Sequence, residues 1–310
     1  MFLAVVLLIV GAAILIAGAE SAVRGTARLS TTAGISAFAL GALLFGIDLE
    51  GLSAAVLAAA RGQTQIAVGE AFGTIIFLIG VGLGLALLVA KGPIPSPSTT
   101  MVIAPAIPLA AAALAISDQQ VTRVEGALLV FLYGGYVFAV LAEGRSLRQR
   151  AAELEHEAAE VKGSAGRAAL IAALGLAAVF GGAWLLVDGG VRLVSASGLS
   201  AGFIGAAIVG TLAGLDEVLL EALPVMRGTP ELATGNLFGT VAAFTSVVLG
   251  LAALVRPLEV DAASEFALLG GAAMYAFVSV VFLLRGRLPR WLGLLLLAGY
   301  VAWLAYASTL

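Results

Sequence analysis

The chain has no cysteine among its 310 residues, which excludes disulfides, thiolate metal centres and cysteine nucleophiles. Histidine is almost as scarce. The single one, His156, sits in the polar stretch AAELEHEAAEVKG, where a solvated loop residue is expected and a metal ligand is not. Charge is thin as well: Asp, Glu, Lys and Arg make up 11% of the residues, against about 25% in an ordinary soluble domain. A net charge of −3 with mixed-sign loops offers no basic surface for nucleic acid. No Ser/His pairing, HExxH or Asp-rich diphosphate motif points to an enzyme.

What remains is apolar. Hydrophobic residues make up 61% of the chain, and the mean hydropathy is +1.11. A membrane span needs roughly 20 apolar residues. Ten segments qualify: 2–20, 34–60, 65–90, 100–117, 122–142, 167–190, 198–225, 231–255, 263–284 and 289–308. The first, MFLAVVLLIVGAAILIAGAE, has no basic leader, so a retained span is expected there and not a signal peptide. Of the Lys and Arg residues, twelve fall in one set of connections and four in the other. The positive-inside rule then puts the first set in the cytoplasm, with the 143–166 connection, and both termini outside.

The chain resembles itself. RGQTQIAVGEAFGT (Arg61–Thr74) matches RGTPELATGNLFGT (Arg227–Thr240) at seven of fourteen positions, offset by 166. Upstream, GISAFALGALLFG (Gly34–Gly46) matches GLSAGFIGAAIVG (Gly198–Gly210) at six of thirteen, offset by 164. Two blocks in one order at nearly one offset indicate an internal repeat. The copies lie five spans apart, and an odd number inserts the second copy upside down, as in secondary transporters whose sites lie where the repeats meet. The expected fold is all-α and membrane-integral, with about ten helices in two inverted five-helix repeats, 1–142 and 167–310, joined by a linker at 143–166.

Acidic residues interrupt the apolar runs at corresponding places: GIDLEGL holds Asp48 and Glu50, and GLDEVLLE holds Asp216, Glu217 and Glu221. A carboxylate near the bilayer centre costs at least ~2.5–3.5 kcal/mol. Lys and Arg are absent from these runs until Arg61 and Arg227, so protons or metal cations must neutralise the acids. All-oxygen ligation suits hard cations such as Ca²⁺, Mg²⁺ or Na⁺. On a helix Glu217 and Glu221 share a face, and Asp216 is turned away from it. Glu70, Asn236, Thr74 and Thr240 add polar groups at matched depth. For the two threonines, back-bonding to helix carbonyls competes with ligation. Glycines 69, 73, 235 and 239 allow close helix packing. Thr229-Pro230-Glu231 reads as a helix start, Pro105 and Pro108 as the kink of a peripheral span, and Arg24, Asp188, Glu125 and Glu143 as ion-paired or interfacial charges.

This pattern resembles the cation/Ca²⁺ exchanger superfamily, whose two inverted copies carry a block like G-T-S-x-P-E followed by R-G-x-P-x-x-A-x-G-N-x-x-G-S-N. Residues 227–240 resemble the second part closely and residues 61–74 more loosely. GAESAVRGTARLSTTAGIS and LLVDGGVRLVSASGLS resemble the family's first helix in each copy. Counting back from Arg227, the family's glutamate falls on Glu217 and its proline on Asp216. In the first copy Glu50 stands one place early, with Gly51 in the glutamate position. The family's first-copy asparagine is Glu70 here, and its closing asparagines are Ile75 and Val241. The resemblance implies a cation antiporter working by alternating access, with the first and sixth helices sliding and cation-binding residues Glu50, Asp216, Glu217, Glu70 and Asn236, the first three as metal ligands. Asp48, Thr74, Thr240 and Glu221 are weaker candidates. The extra acids favour proton exchange or a cation other than Na⁺. The only ligand expected is the transported ion (Ca²⁺, Na⁺ or H⁺), with no resident cofactor, and the expected partners are inorganic cations and the bilayer. The alternative is a membrane sensor or structural protein that keeps the fold without transporting.

Overall fold

The computed structural model describes residues 1–32, 48–142, 165–228 and 230–310. The linker residues 143–164, with His156 and Glu143, lie outside them, as does Thr229. The described chain is mostly helical. In order come α1 (Phe2–Thr32), α2 (Leu49–Ala60), α3 (Thr64–Val89), α4 (Thr99–Ala115), α5 (Arg123–Ala142), α6 (Ala165–Ser197), α7 (Ala201–Ala213), α8 (Leu215–Arg227), α9 (Pro230–Val255), α10 (Ala262–Arg285) and α11 (Trp291–Ala307). Among the described residues, six helices are long and apolar enough to cross a membrane. A seventh span appears if α7 and α8, bent by 49° at Gly214, are taken together. The shorter apolar helices α2, α4 and α11 fall on three further expected spans.

The core sits on α3 and α9. Their apolar windows are 78% and 83% buried, against 28–39% for the other four long helices, so these two are sheathed by protein and the rest face lipid. Each contains one π-helical turn, Leu78–Leu83 in α3 and Phe244–Val248 in α9. The repeat offset of 166 carries Leu78 onto Phe244. Thr245 Oγ1 donates to Val241 O at 2.7 Å and Ser246 donates to Ala242 O, so hydroxyls hold carbonyls that the widened turn loosens.

Helices α1 and α6 run well past their expected ends at 20 and 190, because neither ESAVRGTARLSTT nor VRLVSAS contains a proline to stop them. They pack antiparallel through two glycine stripes, Gly11, Gly18 and Gly25 against Gly175, Gly182 and Gly189. A methyl on Gly18 would lie 2.7 Å from the Val179 backbone nitrogen, so the backbones nearly touch along the whole stripe. In α4 the chain breaks at Ala104–Pro105 as expected, and Pro108 falls in the first turn of the following piece, where no donor is needed.

Among the described residues, four two-residue strands close the connections. Ile94–Pro95 pairs with Arg287–Leu288, and Gln120–Val121 pairs with Leu258–Glu259, both antiparallel. Each ladder ties a connection of the first half to one of the second.

Candidate carboxylate site

Two helices begin in the interior, and both carry acids in their first turn: Glu50 in α2, Asp216 and Glu217 in α8. A helix start presents unpaired N–H groups and a partial positive charge, so these ends supply part of what the acids need. At α2 the arrangement is explicit. Asp48 is the N-cap, its Oδ1 accepting from the Glu50 N–H at 2.7 Å, while its Oδ2 is buried with no hydrogen-bond partner. The side chains of Asp48 and Glu50 are both 7% exposed.

Glu70 faces this end from α3. It is fully buried, and neither carboxylate oxygen has a hydrogen-bond partner. Glycine lets α7 come close enough to shape this wall: a methyl on Gly205 would lie 3.1 Å from Glu70 N, and one on Gly210 would lie 3.0 Å from Thr74 Oγ1. The Thr74 hydroxyl donates to Glu70 O at 3.0 Å and to Gly210 O at 3.2 Å, so it bolts α3 to α7 by back-bonding.

Asp216, half-buried, leaves Oδ1 unpartnered. The charge of Asp48 reaches Glu50, Glu70 and Asp216, and that of Asp216 reaches Glu50. Asp48, Glu50, Glu70 and Asp216 thus form a four-acid group drawn from α2, α3 and α8. The DLE pattern of a capping acid two residues before another was the signal for Asp48 in the sequence. A second group lies along α8. Asn236 Nδ2 of α9 donates to Glu217 Oε2, and Glu221, one turn further, feels the Glu217 charge. Thr240 is buried one turn beyond Asn236. Among the described residues no three Asp, Glu or His side chains gather tightly enough to hold a metal ion, so neither acid group is closed around a cation in this conformation.

A separate ion cluster pins the outer layer. Arg61 Nη2 donates to Asp188 Oδ1 at 3.0 Å and its guanidinium lies 5.0 Å from the Trp184 ring centroid, while Arg192 Nε holds Asp188 Oδ2 at 2.7 Å. Ion pairing was the expectation for Asp188. The link to Arg61, which joins the end of α2 to α6, is a tertiary fact.

The family model described as sodium/calcium exchanger protein matches residues 3–142 and 167–309, nearly the whole chain on both sides of the linker. The chain belongs to the sodium/calcium exchanger family. Among curated relatives of the chain, "Putative antiporter CaxA" of Alkalimonas amylolytica is 27% identical over 274 residues, covering 85% of this chain and 84% of that one. "Inner membrane protein YrbG" of Escherichia coli K12 is also 27% identical, over 98% of this chain and 97% of its own length. Two solved structures share the fold. The sodium-calcium exchanger NCX_Mj aligns over 98% of each chain with a TM-score of 0.61 at 23% identity. The H⁺/Ca²⁺ exchanger CAX covers 99% of this chain and 85% of its own, with a TM-score of 0.73 at 12% identity. The chain is therefore a multi-pass membrane protein of a transporter family.

Proposed function

We propose that the protein is a secondary active antiporter that exchanges a hard cation, Ca²⁺ or a related ion, for H⁺ or Na⁺ by alternating access. One observation carries the reading. Asp48, Glu70 and Asp216 each bury a carboxylate oxygen with no hydrogen-bond partner, and such oxygens are tolerable inside the fold only with a proton or a cation. Glu50, Glu217 and Asn236 complete the centre, and closing the acid groups around an ion is the step that would gather enough oxygens for it. Thr74 and Thr240 line it without being required as ligands.

Two inverted five-helix repeats, 1–142 and 167–310, are supported by the π turns at matched places in α3 and α9. The strand ladders support them too, because the repeat offset carries each paired strand close to a strand of the other ladder. Inversion puts the two ladders on opposite membrane faces, with the Ile94–Leu288 ladder and the 143–166 linker cytoplasmic and both termini outside. The glycine stripes of α1 and α6 provide the smooth contact along which that pair slides. Protons are favoured over Na⁺ as the counter-ion, because acids stand at Glu70 and Asp216 where neutral residues stand in the resembling motif.

The test is flux in proteoliposomes. Glu50→Gln or Glu217→Gln abolishes cation-dependent exchange, and an imposed pH gradient without Na⁺ drives uptake. Unchanged flux in either variant removes that residue from the mechanism, and uptake that needs a Na⁺ gradient removes the proton. No flux with any common cation leaves the non-transporting sensor as the reading.

A further inference from the structure

Glu221 lies outside the four-acid group, one helical turn or ~6 Å beyond Glu217 toward Arg227. It is 1% exposed, and neither of its oxygens has a hydrogen-bond partner. Its carboxyl is aimed at the π turn of α3. A methyl built on Gly82 would fall 3.0 Å from Glu221 Cδ and nearer still to Oε2, so the side chain occupies the space that a glycine in that turn leaves. Between Leu78 and Val89 the facing wall is apolar throughout. A hard divalent ion needs six or more oxygens, and the wall of side chains offers none beyond the carboxyl itself. A proton needs one.

We propose that Glu221, seated against Gly82, is a dedicated proton-carrying site on the Arg227 side of the cation centre, separate from the cation ligands. This rests on the antiporter reading above and names its counter-ion and route. The titratable groups around Glu221 are Glu217 and Asp216 on its own helix and Tyr300 of α11, which packs on Gly80 of the same π turn and whose hydroxyl is 3.1 Å from Thr211 Oγ1. Lys91, Arg227 and Arg290 stand at exposed helix ends. Glu217 is the near one, and its charge is felt at Glu221. A cation seated on Glu217 neutralises that charge and eases release of the Glu221 proton. Departure of the cation favours its return. Both events occur one turn apart on one rigid helix, which couples the two ions without their sharing a ligand.

The experiment compares the wild-type protein with Glu221→Gln in proteoliposomes, with Ca²⁺ as the probe. Uptake driven by a pH gradient should fall about a hundredfold, the scale for losing a positioned proton carrier, while Ca²⁺/Ca²⁺ self-exchange at equal pH continues. Gly82→Ala, which crowds the carboxyl without removing it, should show the same split, and Glu221→Asp should recover part of the driven uptake. Loss of self-exchange together with driven uptake in a well-folded Glu221→Gln protein makes Glu221 a cation ligand and overturns the proposal, as does driven uptake equal to wild type. Infrared difference spectra of the purified protein give an independent readout: one pH-titrating protonated-carboxyl band, that of Glu221, should disappear in Glu221→Gln while those of the other buried acids remain. If wild type shows no Ca²⁺ exchange at all, the antiporter reading fails, and this band alone decides whether Glu221 carries a proton. Its persistence in Glu221→Gln overturns the assignment.

Discussion

At the scale of single residues, the acid with the most reach is Asp48, which does two separable jobs. Its Oδ1 caps α2, and its second oxygen is buried with no hydrogen-bond partner. Asparagine caps about as well as aspartate, so Asp48→Asn should keep thermal stability within about 0.5 kcal/mol while abolishing cation exchange. Alanine removes both roles and should cost a further ~1 kcal/mol, readable in the melting temperature of the purified protein. Loss of stability without loss of transport in the asparagine variant would leave Asp48 as a cap only. Glu217 was legible from the sequence because the distance to Arg227 fixed it. Asp48 stood out less, because the offset between copies slips by two residues just there. What brings it into the group is its reach to Glu70, 22 positions along the chain, which no local pattern encodes.

At the scale of elements, helix type and placement followed from hydropathy, and helix ends did not. The apolar count for α1 falls off near Glu20, yet the helix continues to Thr32, because polar residues do not stop a helix that lies against a partner. That partner is α6, and the glycine stripes set their separation. Gly182→Val pushes a branched side chain into the Leu15 backbone. Overpacking of this kind costs about 1–3 kcal/mol, so the expected result is a lower melting temperature and slowed flux, with cation binding retained in a scintillation proximity assay. Flux at the wild-type rate with a normal melt would mean that the α1–α6 contact is looser than the structure shows. The bend between α7 and α8 was not readable as such. GLDEVLLE shows acids in an apolar run, and only the fold shows that they open a new helix after a 49° turn.

For the whole molecule, the repeat predicts an inverted insertion that can be read directly, since the cysteine-free chain gives no background to thiol labelling. A cysteine introduced at the exposed Pro95 should react with a membrane-impermeant maleimide only from the cytoplasmic side, and one at Gln120 only from outside. Labelling of both from one face would refute the inverted arrangement. The two ladders bear on the same point, since each joins one half to the other and neither half closes by itself.

The sequence by itself determined that this chain lives in lipid, that its two halves share matching blocks, and that acids interrupt the apolar runs of both. These properties are carried by composition, periodicity and spacing along the chain, all of them local or repeated signals. Only the tertiary structure decided which acids meet. Asp48 within reach of the charges of Glu70 and Asp216, Asn236 bonded to Glu217, and Glu221 against Gly82 are neighbourhoods set by how helices cross. Crossing depends on which small residues let two backbones approach, a sum over many weak packing terms that no stretch of sequence displays.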